Sequence, residues 1–265
     1  DEQSEKLYRI RRYIKNLESV CIAYSGGVDS TLVASLAFEQ LGSKAIAITG
    51  ISPALATTLR EEARRQAKWI GVKHLEIKTS ELDQSSYSEN PKDRCFACKK
   101  ELHKHTTYLS KKLNYKIVLD GVNLDDLKDY RPGIQASKQA GVISPLAKFK
   151  VSKQDIRDIS RALGFPWWDK PAQPCLSSRF PYGHEITSER LKMVEKAEEY
   201  LKECGLSEVR VRCQGSTARI EIPQDELKHF FNKYNFSELV QYFSNLGFNC
   251  TSLDLEGLVS GKLNR

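Results

Sequence analysis

The sequence predicts an α/β protein, a doubly wound parallel sheet followed by a small C-terminal α+β domain. Three observations predict it. Apolar runs of strand type at 20–24, 44–49 and 74–78 alternate with helical patterns, and that βαβαβ order makes a parallel sheet. A glycine turn follows the first run and opens a helix, at the strand end where such sheets bind ligands. Near the C-terminus, 208–213 and 217–222 alternate apolar with polar residues around Gln214-Gly215-Ser216, which reads as a hairpin. The division is expected at 180/181, with the sheet domain in 1–180 and the smaller domain in 181–265.

The elements follow in order. Leu7, Ile10, Tyr13, Ile14 and Leu17 share one face of a basic helix over 4–19. After the strand at 20–24, Ser30 opens a helix through Leu32, Val33, Leu36, Ala37 and Leu41, stopped by Gly42. Ser52-Pro53 reads as an N-cap with proline at the first helical position, starting a helix that runs to Ile70 and ends on Gly71. Residues 79–94 are polar and aperiodic, a loop, and 95–113 is a helix with a lysine-rich outer face. A buried-type strand at 117–119 runs into Asp120-Gly121-Val122-Asn123-Leu124-Asp125-Asp126. Arg131-Pro132-Gly133 turns into a short helix, and 142–146 reads as an edge strand. Ser152 with Asp155 caps a helix to Leu163, closed by Gly164. Prolines 166, 171, 174 and 181 exclude a long helix and make 165–183 an ordered crossing loop. Helices at 187–204, 225–233 and 237–246, with a strand at 248–254, complete the chain around the hairpin.

The 265 residues are 40% apolar and 28% charged, which describes an ordinary globular chain with room for a sizeable core. No apolar run approaches the ~20 residues of a membrane span, and no signal-type stretch opens the chain, so a cytoplasmic protein is expected. The net charge of +7 favours polyanionic ligands such as nucleotides, phosphorylated small molecules or RNA, with a solvated basic surface as the plain alternative. Seven cysteines, an odd number with only one close pair, favour thiol, metal or cluster chemistry over a disulfide framework.

Ser25-Gly26-Gly27-Val28-Asp29-Ser30 lies between strand and helix. Unpaired amides and the positive helix end make such a turn an anion site. Gly26 and Gly27 admit close approach of an oxygen-rich ligand, Ser25 and Ser30 add hydroxyl donors, and Asp29 can orient a donor or a Mg²⁺-bound water. No Gly-Lys-Ser/Thr follows, and the third glycine of the dinucleotide fingerprint is missing. The string resembles the PP-loop of the ATP pyrophosphatases, which cleave ATP between the α- and β-phosphates and adenylate an acceptor.

Cys95-Phe96-Ala97-Cys98 opens a helix, where the dipole favours thiolates. No second C-x₂-C completes a zinc ribbon, and Cys175 stands alone in Gln173-Pro174-Cys175-Leu176-Ser177-Ser178-Arg179. Three readings stay open on the residues alone: a Cys95/Cys98 redox pair; a zinc site with Cys175 and a histidine; or a three-thiolate iron–sulfur cluster with an open iron, or else a reactive Cys175. Cys21, Cys204, Cys213 and Cys250 read as small core residues. On the hairpin, Arg210 and Arg212 share a face, roughly 6–7 Å apart, opposite Arg219 and Glu221. Two guanidinium forks on an exposed face suit a phosphate or carboxylate, and a plain solvated face is the alternative. The acids after Gly121 can hold ribose or Mg²⁺, or form a solvated Asx turn.

Taken together, the 25–30 string, Asn90-Pro91 with Arg94 to Lys99, the segment Pro174 to Arg179 with Pro181-Tyr182-Gly183, Arg210-Val211-Arg212, and Asp254-Leu255-Glu256-Gly257 resemble the LarE family across essentially the whole chain. These are ATP-dependent sulfur transferases of nickel-pincer nucleotide biosynthesis. The resemblance implies that a carboxylate of pyridinium-3,5-biscarboxylic acid mononucleotide is adenylated and then converted to a thiocarboxylate. It implies an ATP site of Ala23, Ser25, Gly26, Gly27, Asp29, Ser30, Gly121 and Asp125, with Mg²⁺ near Asp29 or Asp125, and a substrate held by Arg179, Arg210 and Arg212. Catalysis falls to Cys175, Asp29 and Ser30, and the smaller domain serves substrate and sulfur transfer. Members with only the cysteine matching Cys175 sacrifice its sulfur. The presence of Cys95 and Cys98 besides Cys175 is similar to the members that hold a [4Fe-4S] cluster on three cysteines, fed by a sulfide source. A homo-oligomer is expected, with no membrane or nucleic-acid partner. A PP-loop tRNA thiolase is the competing enzyme reading, and a non-catalytic nucleotide-binding module the competing class.

Overall fold

The computed structural model describes residues 2–128, 131–259 and 262. The chain divides into two compact units, one of residues 1–81 and 93–173 and the other of 82–92 and 174–265. The second unit thus takes in 174–180 and the strip 82–92, both assigned by the sequence reading to the first domain.

The first unit carries a four-stranded sheet of β1 (Val20–Ala23), β2 (Ala45–Ile51), β3 (Lys73–Lys78) and β4 (Ile117–Leu119), ordered β3-β2-β1-β4. All three pairings are parallel, so the predicted α/β class holds. The period of two divides its apolar residues between two covered faces. Val20, Ile22, Ala45 and Ala47 join Ile10, Ile14, Leu32, Leu36 and Ile156 in one core cluster, while Cys21, Ile46, Ile48 and Val118 form another. The N-terminal helix Glu2–Lys15, the helix Val28–Leu41 and the helix Lys153–Ala162 bring apolar stripes to the first face.

Three local expectations change. The helix expected from Pro53 begins at Thr57, because Ser52 is spent on a turn: its carbonyl accepts Leu55 N at 3.0 Å and its hydroxyl accepts Ala54 N at 3.3 Å. The edge strand expected over 142–146 is a single parallel bridge, Leu119 to Ile143, because Pro145, which lacks an amide donor, starts the helix Pro145–Lys148. The loop expected over 79–94 contains a 3₁₀ turn, Glu81–Asp83, and a helical turn, Ser85–Ser88.

In the second unit the helix Ser188–Glu203, N-capped by Thr187, covers a three-stranded sheet. The strands are β5 (Arg210–Gln214), β6 (Thr217–Glu221) and β7 (Cys250–Leu253), with the predicted β5–β6 hairpin antiparallel and β7 parallel to β6. Leu191, Val194, Val211, Ile220, Phe230 and Phe243 are buried in this unit. Residues 82–92 clamp the proline-rich crossing: Tyr87 Oη lies 2.6 Å from Ser177 Oγ, Asn90 Nδ2 donates to Pro181 O at 2.7 Å, and Ile186 N donates to Ser88 O at 2.8 Å. No helix among the described residues is long and apolar enough to cross a membrane.

Candidate active site

β1 ends at Ala23, paired with Ile48 of β2, and the chain turns through 25–30 into Val28–Leu41. The helix starts two residues before the expected Ser30, so Asp29 sits in its first turn. No side chain caps it at Gly27, and its first backbone bond is Thr31 N to Gly27 O at 3.0 Å. The amides of Val28, Asp29 and Ser30 lie ahead of that bond, the arrangement that suits an oxyanion. Ser25 and Ser30 knit the turn: their hydroxyls are 3.1 Å apart, and Ser25 N donates to Ser30 Oγ at 3.2 Å.

Two glycines are required by close approach. Gly26 has φ +78°, and a Cβ there would lie 2.9 Å from Ala63 Cβ. A Cβ on Gly121 would lie 2.7 Å from Ser30 N and 2.9 Å from Ser30 Cα, so the end of β4 packs backbone to backbone against the turn. Gln66, which the sequence reading missed, ties the turn to the helix Thr57–Ile70: its Oε1 lies 3.2 Å from both Tyr24 Oη and Thr31 Oγ1.

Asp29 Oδ2 receives Lys153 Nζ at 2.6 Å and Asn123 Nδ2 at 3.2 Å. Among the described residues, Asp29 Oδ1 is buried without a hydrogen-bond partner, an oxygen suited to a divalent cation. Asp125 differs, because Lys128 Nζ takes one of its oxygens at 2.9 Å and Lys153 N the other at 2.8 Å. These donors, the Lys153 amide foremost, hold its pKa below the ordinary carboxylate value. Of the two acids expected near Mg²⁺, Asp29 therefore keeps an unspent oxygen.

The arginines form a cluster in the second unit, but not on an exposed face. Arg179 makes a two-point ion pair with Glu198, and its Nη1 donates to Ser178 Oγ at 2.9 Å and to Pro174 O at 3.2 Å. Burial works against its charge, and Glu198, Cys175 and Glu221 more than restore it, so its pKa is raised. Arg212, expected on an exposed sheet face, is 5% exposed, with Nε 3.0 Å from Glu221 Oε2 and Nη1 2.5 Å from Ser178 O. The outward period-of-two face is covered, so the solvated-face alternative fails with it. Arg219 reaches the same Glu221 at 3.3 Å. Arg210 is half-buried and, among the described residues, has no hydrogen-bond or ion-pair partner. Burial first, then Arg179 and Arg212, lower its pKa. Glu221 and Glu198 offset this only in part, so among the described residues Arg210 is the arginine of the cluster without an ion pair, and such a group suits an anion.

Cys95 and Cys98 lie in the first turns of the helix Arg94–Lys112 of the first unit, the former exposed and the latter half-buried. Cys175 is exposed in the second unit, at the N-cap of the 3₁₀ turn Leu176–Arg179. None of the three is in a disulfide. Among the described residues, no three His, Cys, Asp or Glu side chains stand grouped to hold a metal ion. Of the four cysteines read as core, Cys21 and Cys213 are buried, Cys204 is half-buried and Cys250 is exposed.

No family model matches the chain. It is 53% identical over 260 residues to an uncharacterized protein of Synechocystis sp., covering 98% of this chain and 97% of that one. It is 33% identical over 255 residues to an uncharacterized protein of Methanocaldococcus jannaschii, covering 95% and 96%. It is also 33% identical over 253 residues, 95% of this chain and 91% of the other, to the pyridinium-3,5-bisthiocarboxylic acid mononucleotide synthase of Lactiplantibacillus plantarum. With that identity sustained along nearly its whole length, the chain belongs to the LarE family.

Proposed function

We propose that the protein is an ATP-dependent sulfurtransferase acting on pyridinium-3,5-biscarboxylic acid mononucleotide. The observation that carries the reading is Arg210, a half-buried guanidinium that, among the described residues, pairs with no acid while its two arginine neighbours each hold one, because an anionic substrate completes it. A substrate carboxylate oxygen attacks the α-phosphorus of ATP, the bond to the bridging oxygen breaks, and pyrophosphate leaves with the electron pair. Hydrosulfide then displaces AMP to give the thiocarboxylate. The amides ahead of Thr31 and the hydroxyls of Ser25 and Ser30 receive the phosphates. Asp29 offers Oδ1 to a Mg²⁺ that neutralises the leaving charge. Arg210 orients the substrate, and Arg179 and Arg212 hold the frame around it. The reaction belongs in the cytoplasm, and the working form is a homo-oligomer.

The sulfur source of this reading is a [4Fe-4S] cluster with Cys95, Cys98 and Cys175 as ligands. Its support is donor chemistry, namely three thiols outside disulfides, two of them exposed. When bound, such a cluster supplies an open iron for hydrosulfide. A second reading, in which Cys175 gives up its own sulfur, is favoured by the exposure of that thiol at a turn N-terminus beside Arg179.

The test supplies the anaerobically purified protein with the mononucleotide, Mg²⁺-ATP and sulfide. AMP, pyrophosphate and the thiocarboxylate are expected in equal amounts. ADP as product, or no new sulfur in the mononucleotide, overturns the proposal.

A further inference from the structure

Thr49 is buried in β2 behind four apolar residues, Ala45 to Ile48, and brings a hydroxyl into that interior. The hydroxyl donates to Tyr24 O at 2.7 Å, and Nε2 of His74, on β3, lies 2.7 Å from the same Thr49 oxygen. A hydroxyl has one proton. Thr49 spends it on Tyr24, so His74 Nε2 must be a donor, and the neutral ring is the Nε2–H tautomer. Burial first holds the His74 pKa below 6.5, with Glu76 raising it and Arg64 lowering it, so the neutral ring prevails above neutral pH. The Tyr24 ring meets the imidazole in a T-shaped contact, with centroids 5.3 Å apart. Tyr24 O already satisfies the Thr49 proton. What the bond from His74 adds is a fixed direction for that proton.

The series continues into the turn. A trans peptide is planar, so holding Tyr24 O also fixes the Ser25 N–H on the opposite side. That N–H donates to Ser30 Oγ at 3.2 Å, and Ser30 Oγ donates to Gly27 O at 3.2 Å. With the Ser30 proton on Gly27, Ser25 Oγ must be the donor in the 3.1 Å contact between the two hydroxyls. Ser25 Oγ in turn accepts Gly27 N at 3.3 Å. From His74 through Thr49, the Tyr24–Ser25 peptide and Ser30, each group thus donates to the next, toward the turn. Hydrogen bonds in such a series polarise one another.

We propose that His74 and Thr49 are positioning residues of the anion site: they lock the plane of the Tyr24–Ser25 peptide and through it aim the Ser30 hydroxyl at an arriving phosphate. This rests on the ATP reading of the 25–30 turn. No covalent bond changes and no proton is transferred. A phosphate oxygen takes the Ser30 hydrogen bond in place of Gly27 O, and the change is felt along the series as far as His74.

Pyrophosphate binding, followed by calorimetry and by nitrogen NMR of the histidine-labelled protein, tests it without turnover. In the wild type above neutral pH, His74 should show a protonated Nε2 and a bare Nδ1, and its signals should move when pyrophosphate binds. Thr49→Val is expected to weaken pyrophosphate about fivefold or more and to leave the His74 signals unmoved by it, while Thr49→Ser stays within about twofold and keeps the shift. If Thr49→Val does not fold, His74→Leu carries the comparison, with a smaller loss of affinity and a weaker response of the Ser25 amide. An Nδ1–H tautomer overturns the proposal, as does wild-type affinity in whichever of those two variants carries the comparison. An equal loss in Thr49→Ser also overturns it, because that marks the methyl group and its packing. A wild-type protein with the expected tautomer that binds neither ATP nor pyrophosphate overturns the ATP reading instead.

Discussion

Arg179 holds Glu198 by two hydrogen bonds, Nε to Oε1 at 2.7 Å and Nη2 to Oε2 at 3.0 Å, with both side chains buried. Glu198 Oε1 also accepts Val211 N at 2.9 Å, so this carboxylate joins the 3₁₀ turn, the helix Ser188–Glu203 and β5. Arg212 and Glu221 repeat the pattern one strand over. Two of the three arginines expected to meet substrate thus have their charges matched by buried acids. At Arg210, burial and the like charges of Arg179 and Arg212 outweigh the attraction of Glu221 and Glu198.

The variants Arg210→Ala and Arg212→Ala should therefore separate. Arg212→Ala strands a fully buried Glu221 and is expected to lose about 3–5 kcal/mol of stability, less whatever Arg219 recovers. Arg210→Ala relieves repulsion, so its urea midpoint should stay level or rise. Its KM for the mononucleotide should climb as a charge-assisted bond worth about 1.5–3 kcal/mol is lost. Equal destabilisation of the two variants contradicts this division of labour.

Gly121→Ala tests the backbone contact at the turn. Its Cβ would meet Ser30 N at 2.7 Å and Asp29 C at 3.0 Å, and neither is the end of a flexible side chain. Overpacking of this kind costs about 1–3 kcal/mol. Because the displaced atoms belong to the 25–30 turn, ATP affinity should fall further than stability does. Calorimetric ATP binding beside a thermal melt checks it, and unchanged binding removes the turn from the nucleotide site.

Local signals carried the strand–turn–helix at 20–41, the Ser152–Asp155 capping box and the hairpin, because spacing within a few residues determines each. Lys153 stood next to that capping box and still escaped notice, since its partner Asp29 is 124 positions away and no local pattern reports it. Asn123 and Gln66 were missed for the same reason. The period of two put Arg210 and Arg212 on one face correctly but said nothing about what covers that face. Glu198 and Glu221, the acids that decide which arginine is spent, come from a helix and a neighbouring strand.

His103 gives a pH dependence with a definite sign. It is 1% exposed, and its Nε2 lies 2.8 Å from Ser137 Oγ. Burial first, and Lys99 second, pull its pKa from 6.5 to about 4. Unfolded chains take up the proton below about pH 6.5, whereas the folded one waits until about pH 4. Stability present above pH 6.5 is therefore lost as pH falls toward 4, on the order of 3 kcal/mol in all. In His103→Gln that part of the acid dependence should vanish from urea titrations run between those two values. A wild-type slope in the variant shows that the histidine is already charged in the fold.

The cysteines separate the two sulfur mechanisms. Thiolate ligation tolerates an exchangeable fourth position, so a cluster on Cys95, Cys98 and Cys175 can be recharged with sulfide and turn over repeatedly. Cys95→Ala, Cys98→Ala and Cys175→Ala should each lose iron and acid-labile sulfide after anaerobic purification, and multiple turnover with them. Cys204→Ala and Cys250→Ala, at half-buried and exposed positions outside the proposed site, should keep both. Mass spectrometry of the wild type after turnover with sulfide should find Cys175 intact. A sacrificial Cys175 gives the opposite pattern: one H₂S is lost from that residue for each active chain, the loss is unaffected by Cys95→Ala, and product formation stops at one equivalent.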